Sequence, residues 1–146
     1  MEENPIVAAL SEQIGKVLDH DFSPVGKWLS GTLRAVKAGE CTVDFTVRHD
    51  MTNPVGTIHG GIVALMCDEV IGMTAYSLYN EYHFTSVNLV VDFLSKAVKG
   101  EVLSVTAKVM RKGRTIINLE CLVHNADGKL VARTQQNMVR TAMKLR

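Results

Sequence analysis

The chain is poor in most of the features that mark specialised classes of protein. Its three cysteines, Cys41, Cys67 and Cys121, are odd in number, widely spaced and without a CxxC pair. They fit buried thiols in a reducing compartment better than a disulfide framework or a zinc knuckle. No long apolar run exists. The longest uncharged stretch, Met51 to Cys67, is interrupted by Pro54, Gly56, Gly60 and Gly61 and falls short of the roughly 20 apolar residues that span a bilayer. Neither sign of charge dominates, with 16 Lys plus Arg against 15 Asp plus Glu and a net charge of +1. A general nucleic-acid surface or a polybasic membrane anchor is therefore not expected. The first residues include Glu2 and Glu3 and only the short apolar run Ile6–Leu10, unlike a secretory signal, so a cytoplasmic protein is expected. Aromatic residues make up 5%, which disfavours a pocket built from stacked rings.

What is present is an ordinary globular composition, 47% apolar and 21% charged over 146 residues, enough for one core. We read residues 1–146 as a single domain, with 1–27 forming an N-terminal helix and its connection. Ile6, Ala9, Leu10, Ile14, Val17 and Leu18 recur at helical spacing over 5–19, and Asp21, Ser23, Pro24 and Gly26 break that helix. Trp28–Val36 and Cys41–Val47 alternate as two strands around Gly39, with Val43, Phe45 and Val47 on one face. After Gly60-Gly61, the segment Ile62–Tyr79 is apolar around most of its circumference, the mark of a long buried helix. Four more strands follow: Phe84–Leu94, Val102–Val109, Thr115–Val123 and Leu130–Thr141, the last entered through the turn Ala126-Asp127-Gly128. In the first of these, Val87, Leu89, Val91 and Phe93 fall on one face and Ser86, Asn88 and Asp92 on the other. An α+β fold, one antiparallel sheet of five to six strands wrapped on one long helix, satisfies this order.

Two features of the helix are chemically unusual. Gly60 and Gly61 open it without side-chain cover, so its first N–H groups lie bare at the positive end of the helix dipole. Such an end can polarise a carbonyl oxygen, or the glycines can simply permit close packing against the sheet. Asp68, with Glu69 beside it, stands in the middle of the apolar helix, where at least one of the two is expected in a largely desolvated place. A structural acid paired with backbone or with a second protomer, or one exposed through a gap in the core, is the alternative. Gly60 and Asp68 are eight residues apart, about 12 Å along one helix, whereas a reacting carbonyl must lie within about 3 Å of both. If both act on one substrate, the donor of one chain must meet the acid of another across a two-fold axis.

These residues carry a resemblance. Asn53, the run Gly56-Thr57-Ile58-His59-Gly60-Gly61, Asp68 nine residues after His59, and Ser86 are similar to the motif of the hotdog-fold acyl-CoA thioesterases. The likeness is to the phenylacetate-pathway branch, with the thioesterase-superfamily-member-2-like proteins, of the 4-hydroxybenzoyl-CoA thioesterase superfamily, and covers about Trp28 to Arg140. It implies Asp68 as the catalytic base or nucleophile and Gly60 N–H as the donor to the thioester carbonyl. It further implies Asn53 as a positioning amide, His59 as the motif histidine that orients the loop, and Ser86 as the hydroxyl beside the lytic water. Gly61, Arg111, Lys112, Gly113 and Arg114 are the implied CoA-binding set, the last four as phosphate contacts, although an ordinary solvated turn would look the same. Lys96 and Lys99 are weaker candidates. No cofactor and no metal is implied. The expected partners are an acyl-CoA substrate and a second copy of the chain, in a homodimer that completes the site and a homotetramer built from it.

Two other readings stay open: a hydratase or dehydratase of acyl thioesters on the same fold, and a non-enzymatic acyl-CoA-binding module. Cys67 is expected in the core, with no histidine placed to activate it. His49, His83 and His124 are scattered singly and are expected at surface or capping positions. Tyr76, Tyr79, Tyr82 and Phe84 fit an acyl pocket and the edge of a core equally.

Overall fold

The structure, a computed structural model, describes residues 3–19 and 22–146. Glu2 and the helix break expected at Asp21 lie outside them.

The elements in chain order are α1 (Pro5–Ser11), α2 (Pro24–Leu29), β1 (Thr32–Lys37), β2 (Glu40–Thr46), a 3-10 turn (His49–Met51), α3 (Gly60–Tyr76), β3 (Tyr82–Phe93), β4 (Val102–Lys112), β5 (Ile116–His124) and β6 (Leu130–Lys144). The six strands form one antiparallel sheet in the order β1-β2-β4-β5-β6-β3. α3 lies along one face of it. From the helix, Val63, Met66, Cys67, Val70, Ile71 and Ala75 meet Leu33, Val43, Phe45, Leu103, Val105, Ile117, Leu119 and Cys121 from the strands in one buried cluster. Truncating Met66 or Ile71 to alanine there would cost roughly 2–5 kcal/mol. The helix is not covered all round: Gly61, Asp68 and Gly72 are exposed and Leu65 and Tyr76 half-buried along a single stripe.

The N-terminal segment departs from the sequence expectation. Asn4 caps α1 through its side-chain oxygen and Pro5 occupies the first turn, yet the helix ends at Ser11 rather than near residue 19. Gly15 takes a left-handed conformation at φ +82°. The following residues pair with β1 instead: Gly15 N–H donates to Leu33 O, Leu33 N–H to Lys16 O, and Leu18 N–H to Gly31 O. The apolar period of 5–19 thus serves a short helix followed by an edge segment. Trp28 and Leu29 belong to a second short helix, capped by Ser23, and not to the first strand. Ser23, Pro24 and Gly26 therefore start an element rather than merely stop one.

β3 carries the correction that matters most for the site. The pairing with β6 slips between Ser86 and Asn88: Ser86 faces Met138, and Asn88 already faces Asn137. Val87 is the extra residue of a β-bulge. Without it, Ser86 would lie on the opposite face from Leu89, Val91 and Phe93. With it, all four face the helix side, in register with Met138, Gln136, Thr134 and Ala132 of β6. Simple alternation could not see this.

The two edges of the sheet differ. β1 is six residues long and is partly covered by the 15–18 segment. β3 is twelve residues long and, among the described residues, pairs with β6 alone. Along it Val87, Val90 and Phe93 are 60%, 56% and 58% exposed.

Candidate active site

The loop before α3 is organised by Asn53. Its side-chain oxygen accepts from Val55 N–H and Thr57 N–H, and its amide donates to Thr57 Oγ1 at 2.8 Å. One amide hydrogen remains to it. Gly56, at φ +84°, completes the turn with its N–H on Asn53 O. His59 then caps the helix in extended backbone, its Nδ1 accepting from Gly61 N–H at 3.1 Å. A neutral His59 therefore carries its proton on Nε2. The N–H groups of Ile62 and Val63 are taken by His59 O. Gly60 N–H is left with no partner among the described residues, at the positive end of a 17-residue helix. The double glycine thus leaves one free donor, not two. The ring of Phe93 packs on this spot: a Cβ at Gly60 would lie 3.0 Å from it.

Two helical turns on, Asp68 projects from the stripe of α3 that the sheet does not cover. Asp68 is exposed in the single chain and Glu69 half-buried, so neither is largely desolvated, and the alternative of an acid at a gap in the core holds for Asp68. The reason is positional: Cys67 and Val70 face the core, and the rotation from them carries position 68 out past the sheet. Asp68 is nevertheless held. Its Oδ1 accepts from Gln136 Nε2 at 2.8 Å and from Ser86 Oγ at 3.4 Å, and Gln136 Nε2 also donates to Ser86 Oγ. Asp68 Oδ2 has no partner among the described residues.

Gln136 is the site residue that sequence reasoning missed. It is 1% exposed, and its Oε1 is buried with no hydrogen bond. An orphaned buried acceptor costs about 1–3 kcal/mol, so a glutamine there is not explained by stability. The available signal was the alternation of β6, which places a polar residue at 136 on the same face as Ala132, Thr134 and Met138.

Beside Asp68 opens a cleft of about 560 Å³. It runs down the exposed stripe of α3 past Gly72 to Tyr76, walled by Phe22, Tyr82, Phe84 and Met138. Of the aromatic residues considered from sequence, Tyr76, Tyr82 and Phe84 line it, while Tyr79 lies under the Arg146 guanidinium at 3.9 Å. Ser86, Gln136 and Asp68 are brought together; Gly60, His59, Gly61 and Asn53 form a separate group at the helix start. The basic hairpin of Arg111, Lys112, Gly113 and Arg114 joins neither. It leaves the sheet where Thr115 O accepts from Arg140 N–H, and none of its four residues lines the cleft. Arg140 stacks over Tyr82, a wall of the cleft, at 5.1 Å, a cation not anticipated from sequence. Lys96 lines a second hollow beside Gly60 and Phe93.

The cysteines are buried. Burial pushes the Cys41 thiol up to about 11, and the adjacent Cys67 thiol together with burial raises Cys121 far above its usual range. Cys67 itself is fully enclosed, as expected of a core residue. Among the described residues no three His, Cys, Asp or Glu cluster as a metal site, and no helix is long and apolar enough to cross a membrane.

A long helix clasped by a six-stranded antiparallel sheet, with a bare amide at its start and a held carboxylate at its middle, is the architecture of a hotdog hydrolase. The profile of the Thioesterase superfamily matches residues 55–132. Human acyl-coenzyme A thioesterase 13 is 30% identical over 103 residues, 70% of this chain and 74% of that protein. Among solved structures, the Escherichia coli PaaI protein from the phenylacetic acid degradation operon superposes with a TM-score of 0.79 at 22% identity, covering 85% of this chain and 88% of that one. A hypothetical thioesterase of Streptococcus pneumoniae solved with coenzyme A gives 0.74 at 21% identity, over 78% and 88%. The chain belongs to the Thioesterase superfamily and is a thioester hydrolase with the hotdog fold.

Proposed function

We propose that the chain hydrolyses acyl-CoA thioesters at a site shared between two copies, Asp68 of one copy working with Gly60 N–H of the other. The observation that carries this reading is the division of labour along α3. The free donor and the held carboxylate are eight residues apart on one straight helix, about 12 Å, so one chain cannot present both to a single carbonyl. A two-fold pairing of helices in opposite directions supplies both, twice over. The unpaired, apolar edge of β3 supports it, because an open twelve-residue edge is a template for a second copy.

In the proposed reaction Asp68 Oδ2 takes a proton from water as the water oxygen bonds to the thioester carbon. Ser86 and Gln136 hold the other carboxylate oxygen, which fixes the direction of Oδ2. The charge that develops on the carbonyl oxygen is met by Gly60 N–H. The C–S bond then breaks, the carbonyl re-forms as the free acid, and CoA thiolate leaves with the proton returned from Asp68. A thiolate is a good leaving group, so one base and one oxyanion donor suffice. His59 acts by occupying Gly61 N–H, and Asn53 by shaping the loop that presents Gly60, with its remaining amide hydrogen free to meet the carbonyl.

The cleft beside Asp68 takes the acyl group, so CoA leaves in the other direction. None of Arg111, Lys112, Gly113 and Arg114 lines the cleft of its own chain. The hairpin that meets the CoA phosphates at a given site is then supplied by another copy, in the dimer or in a tetramer built from it. The deciding measurement is thiol release from a panel of acyl-CoAs, read with a colorimetric reagent. Wild type is expected to release CoA from some members and Asp68→Asn from none at a comparable rate. Tight binding without release across the panel would replace this reading with a binding module, and addition of water to an enoyl-CoA without thiol release would replace it with a hydratase.

A further inference from the structure

One residue of the cleft has no explanation inside the chain. Gly72 sits in the interior of α3, one turn after Asp68 and one before Tyr76, and all three line the same cleft. Glycine is among the poorest helix formers. Its φ here is not left-handed, so backbone geometry does not call for it. Packing does not either, since a Cβ at Gly72 would meet nothing within 4 Å. Three residues earlier, by contrast, the end of the Glu69 side chain reaches Gly26, where a Cβ would have to displace it. The missing side chain at 72 opens only onto the cleft.

What the cleft would hold follows from its walls. Beyond Asp68 they are Met73, Tyr76, Phe84 and Met138, with Glu69 as a second carboxylate and no lysine or arginine among the described lining residues. An acyl group ending in a carboxylate would meet two acids against a single imidazole, His83, and no permanent cation among the described lining residues. The volume of about 560 Å³ lies within the roughly 300–1,000 Å³ typical of sites that enclose a small ligand, far more than an acetyl group fills. From Asp68 to Tyr76 the stripe runs eight residues, about 12 Å, room for a chain of several methylenes. We infer that Gly72 is a specificity-determining position that keeps this cleft open for an extended, uncharged acyl group. The inference rests on the thioesterase reading, because that reading places the thioester carbon at Asp68.

The test separates the two. Binding of non-cleavable S-methyl-, S-hexyl-, S-decyl- and S-(ω-carboxyalkyl)-CoA thioethers is titrated by calorimetry on the assembled full chain, as wild type, Gly72→Ala and Gly72→Leu. Cleavage of the matching thioesters is measured separately. Each methylene that enters the cleft should tighten binding about 3–4-fold, so wild type should prefer decyl over methyl by far more than tenfold and disfavour the carboxylated ligand. Gly72→Leu should cut the decyl-to-methyl ratio at least tenfold. Gly72→Ala should cut it less while raising the thermal midpoint by about 2–4 °C, and it carries the test if the leucine variant fails to assemble. An unchanged ratio in the variants overturns the inference, as does a wild-type ratio near one or a preference for the carboxylated ligand. A shift in assembly with the ratio unchanged would mean that Gly72 serves helix packing between copies instead. If the thioethers behave as stated but no thioester is cleaved, the hydrolase mechanism falls and the acyl-binding cleft stands.

Discussion

The two halves of α3 are built on opposite principles. At its start, backbone does the chemistry: a glycine pair strips away side chains, His59 takes one amide, and Gly60 N–H is left bare beneath Phe93. At its middle, side chains do it: Asp68 stands on the uncovered stripe and is gripped by a buried amide from β6 and a hydroxyl from a bulged β3. The first half offers positive potential and no base. The second offers a base and an apolar cleft with no oxyanion donor. Under the proposed mechanism each chain therefore holds two half-sites, and assembly is part of catalysis rather than an accessory to it.

The sharpest break is at the acid. Asp68→Asn keeps an oxygen for Gln136 to donate to but removes the base, and turnover should fall by about 10²–10⁴-fold with fold and assembly unchanged by circular dichroism and gel filtration. At the other half, Gly60→Pro removes the free N–H and, like Gly60→Ala, sets a Cβ against Phe93, so the difference between the two variants isolates the donor. Position 60 is the first helical residue, where proline is tolerated, and His59 is already extended at ψ 133°, as a residue before proline must be. Turnover should drop about 10²-fold or more. Gly60→Ala keeps the N–H but pushes on Phe93 and should lose less; equal losses in the two would deny the donor its role.

Mixing these two inactive variants then tests whether the halves belong to different chains. Each mixed dimer has one site with both lesions and one with neither. Random exchange should therefore restore about a quarter of wild-type activity, and no recovery after verified exchange would place both groups in one chain.

Gln136→Leu should lower kcat by about tenfold without lowering the thermal midpoint, because it deletes the donor to Asp68 together with an orphaned acceptor that costs about 1–3 kcal/mol. Loss of stability with activity intact would make Gln136 structural. The smallest effect concerns the core beneath both halves. The Cys41 thiol is held protonated to about pH 11 by burial. Below pH 9 folded and unfolded chains are both protonated there, and no contribution arises. Between pH 9 and 11 the unfolded chain ionises first, so stability should fall as pH rises. Denaturant titrations of wild type and Cys41→Ala at pH 8 and 10.5 should show a smaller alkaline loss in the variant.

Much of this was readable from residue order. Val43, Phe45 and Val47 lie inside as their alternation requires, and the helix that starts at Gly60 is where the apolar period placed it. Six strands and one long helix leave few alternatives. The Asn53-to-Gly61 run and Asp68 stand out because glycine pairs and acids are costly in an apolar helix. What could not be read has local causes. Gly15 and the hydrogen bonds to β1 ended α1 early, overriding a helical period that ran on to Leu18. The bulge at Val87 turned Ser86 to the helix side, and no pattern of period two contains an extra residue. Gln136 looked like one polar residue among several in β6 until the sheet register set it against Asp68.

Residue chemistry alone determined which groups were able to act, because a bare amide, a carboxylate and an apolar stripe are properties of single residues and their spacing along one helix. Tertiary structure decided which of them meet. Sheet register, the slip in β3 and the direction in which position 68 leaves the core are set by long-range pairing, and no local run of residues encodes a partner fifty or more positions away.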